Sequence, residues 1–120
     1  MPLDYKFFTM NGKVENILLC SNRSNELKLD DYDCEWNKRN YSFKEFQSNI
    51  SFKKPKNLER MIEIAEELGK EHIFVRVDLY EINNKIYFGE LTFTPANGYL
   101  EQYKQETLDL LGDKLILPLV

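Results

Sequence analysis

The stretch Arg76–Pro95, RVDLYEINNKIYFGELTFTP, reads as two strands joined by an asparagine turn, each aiming a carboxylate at one place. Side chains alternate between the two faces of a strand. Phe74, Arg76, Asp78 and Tyr80 therefore share one face, and Ile73, Val75, Val77 and Leu79 the other. In the second strand Phe88, Glu90 and Thr92 alternate with Tyr87, Gly89, Leu91 and Phe93. Whether the carboxylates meet depends on register, because a slip of one residue moves a whole side-chain set to the opposite face. A two-residue turn at Asn83-Asn84 with an unbroken ladder sets Ile82 against Lys85 and Glu90 against Val77, which mixes charge into the apolar face. One more loop residue, or a bulge at Gly89, sets Asp78 against Glu90, Arg76 against Thr92 and Val77 against Leu91. Both faces are then consistent, and this is the register expected.

Two carboxylates and an arginine on one face suit a hard divalent cation with phosphate. Magnesium takes oxygen ligands, commonly one or two carboxylates with phosphate oxygens and water, and a nearby arginine neutralises the phosphoryl group. Asp78 and Glu90 are the ligand candidates and Arg76 the phosphate partner. On pattern alone, the commoner use of such a set is an ion-paired surface.

Five segments taken in order carry a resemblance: Asp4-Tyr5-Lys6-Phe7 with Asn11-Gly12-Lys13, Tyr32-Asp33 with Trp36-Asn37, KPKNLERMIEIAEEL from Lys54, FVRVDLYEINNKIYFGELTFTP from Phe74, and LGDKLILP from Leu111. Together they resemble the TupA-like ATP-grasp family, typified by a protein of teichuronopeptide biosynthesis. The RVD and GELTF segments are also similar, more distantly, to the metal-binding end of D-alanine:D-alanine ligases, where an R-x-D strand is followed by an E-x-N strand. The resemblance implies that Asp78 and Glu90 bind magnesium, that Arg76 faces the phosphates of ATP, and that Thr92 stands in the third ligand position, where the ligases have Asn. It puts Lys6 where the nucleotide pocket begins and makes Gly98, in the loop after the metal strand, a backbone donor near the reacting carboxyl group.

The resemblance covers nearly all of this chain, and of the family's domain it covers only the C-terminal part. In the family, the phosphate-holding lysines and the adenine clamp precede the segment that Asp4–Lys13 resembles. It implies an ATP-dependent carboxylate-amine ligase of cell-surface polymer synthesis, with nucleotide and a carboxylate-bearing substrate as ligands. Residues 1–120 would then be one domain, incomplete as a catalyst until an N-terminal lobe or a partner chain joins it.

Composition agrees with a globular module. Charged residues make up 30% of the 120, and the net charge is −4. With a pI near 5.1, nothing points to a nucleic-acid partner or an anionic membrane surface. No apolar run approaches the roughly 20 residues that span a bilayer. The start MPLDYKFF has no signal-peptide pattern, so a cytoplasmic location is expected. Cys20 and Cys34 form no CxxC, and His72 is the sole histidine, so neither a zinc site nor a catalytic triad is indicated.

Asn11-Gly12 is a strong hairpin signal between Asp4–Met10 and Val14–Cys20. A plain two-residue turn places Tyr5 and Phe7 on the face of Val14, Leu18 and Cys20, with Asp4 and Lys6 on the other. Ser21–Ser51 reads as a long irregular excursion with short strands. Its aromatics, Tyr32, Trp36, Tyr41, Phe43 and Phe46, could form a sugar or peptide platform or hold the excursion down as a satellite core. Asp31-Tyr32-Asp33 contains a D-x-D triplet of the kind a glycosyltransferase uses for a nucleotide-sugar metal.

A helix is expected from Asn57 as N-cap, with Leu58, Met61, Ile62, Ala65 and Leu68 apolar and Gly69 ending it in the left-handed conformation. Its stripe matches Val75, Val77, Leu79 and Leu91. The expected fold is thus α+β: a mostly antiparallel sheet, a helix across one face and the ligand groups on the other. Beyond Pro95, Tyr99–Leu111 has helical spacing and Leu115–Val120 is apolar. A non-catalytic module that binds a partner or saccharide is the alternative function.

Overall fold

Two asparagine-led turns organise the sheet. Asn11 and Gly12 have φ of 52° and 82°, and Asn83 and Asn84 have 52° and 67°. Positive φ at both central residues matches the twist of a tight hairpin, and Asn and Gly tolerate it best. The first turn joins β1 (Asp4–Met10) to β2 (Lys13–Arg23), and the second joins β5 (Phe74–Ile82) to β6 (Lys85–Thr92). A computed structural model describes residues 3–23, 25–93 and 106 of the chain. Gly98, the Tyr99–Leu111 spacing apart from helical Glu106, and the apolar tail lie outside the described residues.

Between the hairpins lie β3 (Glu26–Tyr32), the two-residue β4 (Lys38–Arg39), a short 3-10 turn at Lys44–Phe46 and the helix α1 (Leu58–Gly69). The strands form one antiparallel sheet in the order β4-β3-β2-β1-β5-β6. The expected α+β architecture is therefore what forms, with α1 across one face. The excursion, however, is not irregular from Ser21 onward: β2 runs to Arg23 and β3 is a full seven-residue strand. Its alternation was hidden by Asp30 and Asp31, both buried and both satisfied by hydrogen bonds from Ser48 and Ser42.

Two bulges set the faces. In β1–β2 the register shifts between Phe8 and Thr9, so Val14 faces Thr9 while Asn16 faces Phe8, with Glu15 the extra residue. Tyr5 and Phe7 consequently share a face with Val14, Ile17 and Leu19, not with Leu18 and Cys20 as an unbroken ladder required. Arg39 Nη1 donates to the Glu15 carbonyl at 2.6 Å, which satisfies the bulge. In β5–β6 the shift falls at Asp78/Leu79 with Gly89 extra, pairing Asp78 with Glu90, Arg76 with Thr92 and Val77 with Leu91. That is the expected register, reached by a two-residue turn plus a bulge. The same bulge moves Phe88 opposite Leu79, out of the set it was expected to share with Glu90.

The face under α1 buries Phe7, Ile17, Leu19, Tyr32, Val75, Val77 and Leu79 against Leu58, Met61 and Ala65. Three details of the helix differ from expectation. Asn57 makes no side-chain cap; the Glu81 carboxylate instead accepts from the Lys56 and Asn57 amides at 3.2 and 2.8 Å, and Asn57 Nδ2 donates to the Asn84 carbonyl. Gly69 is helical, and Glu71 takes the left-handed position at φ 72°. Leu68 is 37% exposed, because the buried line runs 58-61-65-69 and ends on Gly69, where the helix presses against Thr9 of β1. Trp36 stacks on Tyr32 at 4.0 Å and 4° on this same side.

The opposite face carries a second apolar cluster, Phe8, Met10, Leu18, Cys20, Leu29 and Phe74, with Tyr41 and Phe46 packed on it. The aromatics of the excursion are thus divided between the two faces and hold it to the sheet, with only Phe43 well exposed among them.

Candidate functional site

Beside that second cluster, β1, β5 and β6 bring five charges together. Antiparallel pairing sets Lys6 opposite Asp78 and Asp4 opposite Tyr80, and the Gly89 bulge sets Glu90 on the other side of Asp78. The bulge needs glycine: a Cβ there would lie 2.9 Å from the Tyr80 ring and 3.0 Å from the Asp78 carbonyl.

Arg76 reaches along its own strand, two residues on, to the Asp78 carboxylate. Its Nε donates to Oδ1 at 2.9 Å and its Nη2 to Oδ2 at 3.1 Å. The same Nη2 donates to Glu90 Oε1 at 3.2 Å, so the two carboxylates converge on one guanidinium. From the other side Lys6 Nζ donates to Asp78 Oδ2 at 2.8 Å and pairs with Asp4 Oδ2 at 2.9 Å. The side chains of Lys6, Asp78 and Arg76 are 4, 3 and 6% exposed, whereas that of Glu90 is 63% exposed. Buried charges are tolerable only when paired and hydrogen-bonded, and here each is. Burial works against the Lys6 charge, but the hydrogen bonds and attraction of Asp78 and Asp4 outweigh it and raise its pKa. The Asp4 charge, with burial second, raises the Tyr80 hydroxyl. Asp4 Oδ1 is buried without a hydrogen-bond partner.

Of the residues nominated from the sequence, Arg76, Asp78, Glu90 and Lys6 are brought together, and Thr92 lies opposite Arg76 on β6. Gly98 lies outside the described residues. The direct Lys6–Asp78 contact and the part of Asp4 in it were not read from the sequence, because only the β1–β5 pairing creates them. The D-x-D triplet is used otherwise: buried Asp31 accepts from Asn16 Nδ2 and Ser42, while Asp33 accepts from the Glu35 and Asn37 amides. A surface depression of about 380 Å³ lies elsewhere, at the start of α1 between Lys54 and Glu63.

The geometry combines with one comparison. Residues 2–116 match the sequence profile of a family described as TupA-like ATPgrasp. The chain belongs to this family. No curated protein and no solved structure matches it. For a TupA-like ATP-grasp chain the group to test against the site is magnesium-bound ATP. The donors suit it in kind: two carboxylates converge and one is open to solvent, and magnesium needs only one or two carboxylates when phosphate and water complete its shell. No third His, Cys, Asp or Glu joins them in a metal-binding group among the described residues. No helix among those residues is long and apolar enough to cross a membrane.

Proposed function

We propose that this TupA-like ATP-grasp chain forms the magnesium-nucleotide surface of a carboxylate-amine ligase acting in cell-surface polymer synthesis, as the C-terminal lobe of the ATP-grasp fold. The observation that carries the reading is the convergence of Asp78 and Glu90 on the Arg76 guanidinium, on the sheet face away from α1. In such a ligase a substrate carboxylate oxygen bonds to the γ-phosphorus of ATP as ADP leaves. An amine then bonds to the acyl carbon, phosphate leaves with the former carboxylate oxygen, and the amine gives up a proton. Magnesium, when bound, neutralises phosphate charge. Asp78 and Glu90 are the residues that would hold it, and Arg76, now between them, would neutralise the phosphoryl group.

Asp78 and Arg76 are buried and already paired with each other and with Lys6, and only Glu90 is open to solvent, so a cation must displace existing contacts and the 120-residue chain alone binds magnesium-ATP weakly in this reading. Calorimetric titration with magnesium-ATP, beside an Asp78→Asn/Glu90→Gln double variant, tests it. Weak binding that disappears in the variant is expected. Indistinguishable behaviour would leave the acidic pair as an ion-paired part of the fold with no role in metal binding. The second reading, a non-catalytic module that binds a partner, then takes its place; it is favoured by the fact that both Asp78 oxygens already have cationic partners.

A further inference from the structure

Lys6 stands where a lysine of a nucleotide site would be sought, yet its surroundings describe a different role. Its residue is 3% exposed, and its ammonium lies 2.8 Å from Asp78 Oδ2 and 2.9 Å from Asp4 Oδ2. A lysine that serves phosphate presents a mobile ammonium to the ligand. This one is fixed between two carboxylates, in the middle strand of the β2-β1-β5 part of the sheet. Arg76, by contrast, extends from Asp78 to Glu90, whose side chain is open to solvent. An ion that reaches Asp78 from the Glu90 side displaces Arg76 contacts while Lys6 stays behind the carboxylate.

We propose that Lys6 is a resident counter-ion of Asp78, a positioning residue that holds this carboxylate in place and weakens its hold on a divalent cation, and that it does not bind nucleotide phosphate. This rests on the magnesium reading of Asp78 and Glu90. Like charges sharing one carboxylate repel, so an ion at Asp78 meets a standing positive charge that no solvent screens. The ion is held loosely in the empty lobe, and nucleotide phosphate supplies the missing negative charge, which couples metal binding to nucleotide binding.

The test uses Mn2+ alone, titrated into the 120-residue chain and followed by electron paramagnetic resonance, with Lys6→Gln and Lys6→Met variants whose folding is checked by circular dichroism. Gln keeps donors for both carboxylates while removing the charge. Both variants are expected to bind Mn2+ at least tenfold more tightly than the native chain, and adding Asp78→Asn is expected to abolish the gain. At saturating Mn2+, ATP affinity is expected to be unchanged or higher in Lys6→Gln; a tenfold fall would show that Lys6 binds phosphate and overturn the proposal. Equal Mn2+ affinity in the native chain and in folded Lys6→Gln would overturn it while leaving the magnesium reading intact. Absence of Mn2+ binding in both would remove the magnesium reading as well. If both variants are unfolded without metal, millimolar Mn2+ is expected to restore folding, and failure to do so overturns the proposal.

Discussion

Asp78 accepts from two different cations, Arg76 at Oδ1 and Oδ2 and Lys6 at Oδ2, in a place where all three side chains are nearly inaccessible. Desolvating such ions costs several kcal/mol each, which is offset only by close mutual contact. Removal of the shared carboxylate therefore takes from two buried cations the partner they have in common, leaving Asp4 beside Lys6 and the exposed Glu90 beside Arg76. Asp78→Ala is expected to lower stability by about 3–5 kcal/mol, read as a shift in the urea midpoint. Glu90→Gln touches the same network from a largely exposed position and is expected to change stability by no more than about 0.5 kcal/mol. Equal losses in the two variants would mean that the network is not organised around Asp78. The same asymmetry matters for function: Asp78 is held rigidly, whereas Glu90 remains accessible to a ligand.

Helix α1 presses against the sheet at its last residue. In a solvated helix Gly→Ala stabilises by about 1 kcal/mol. At Gly69, however, a Cβ would collide with Thr9 Oγ1 and lie 2.9 Å from Thr9 Cβ. Thr9 cannot easily yield, since it is fully buried and its hydroxyl donates to the Val75 carbonyl at 2.8 Å on the next strand. Gly69→Ala is accordingly expected to destabilise by about 1–3 kcal/mol through overpacking, measured by thermal or urea unfolding. A stabilised variant would show that the helix does not press on β1. This contact also explains why Leu68 sits at the rim: the glycine must face the sheet, and its neighbour is carried off the buried line. The β5–β6 hairpin shows the complementary case, where a glycine is needed so that a bulge can pass beneath the Tyr80 ring.

At the scale of the molecule, the perturbed buried groups among the described residues share one sign. Burial pushes the Cys20 thiol from 9.0 to about 12. Burial and then the Glu81 charge push the Tyr5 hydroxyl from 10.0 to about 12, while Lys6 is raised above its ordinary 10.5. Each group keeps its proton longer folded than unfolded, so its contribution is fully present below the unfolded pKa and is lost as pH rises through the folded one. The thermal midpoint is expected to hold to about pH 9 and to fall progressively between about pH 9 and 12, with the first part of that fall reduced in Cys20→Ala. A midpoint flat to pH 11 would contradict this burial.

Much of this architecture was legible because it is local. The Asn11-Gly12 and Asn83-Asn84 turns, the helix stripe from Leu58 to Ala65, and the alternation of Val75, Val77 and Leu79 against Arg76 and Asp78 depend on residues close together in the chain. Gly89 was readable as a bulge because only that register keeps charge off the apolar face. Other features were set only when the strands met. The Glu15 bulge answers to Arg39, the buried Asp30 and Asp31 answer to Ser48 and Ser42, and the Gly69 approach answers to Thr9. The clearest case is the site itself: alternation put Asp78 on the right face, but its pairing with Lys6 joins residues 72 apart in sequence. Neither residue's neighbours encode that partner; the closing of the β1–β5 ladder does, because it aligns one buried ammonium with one buried carboxylate.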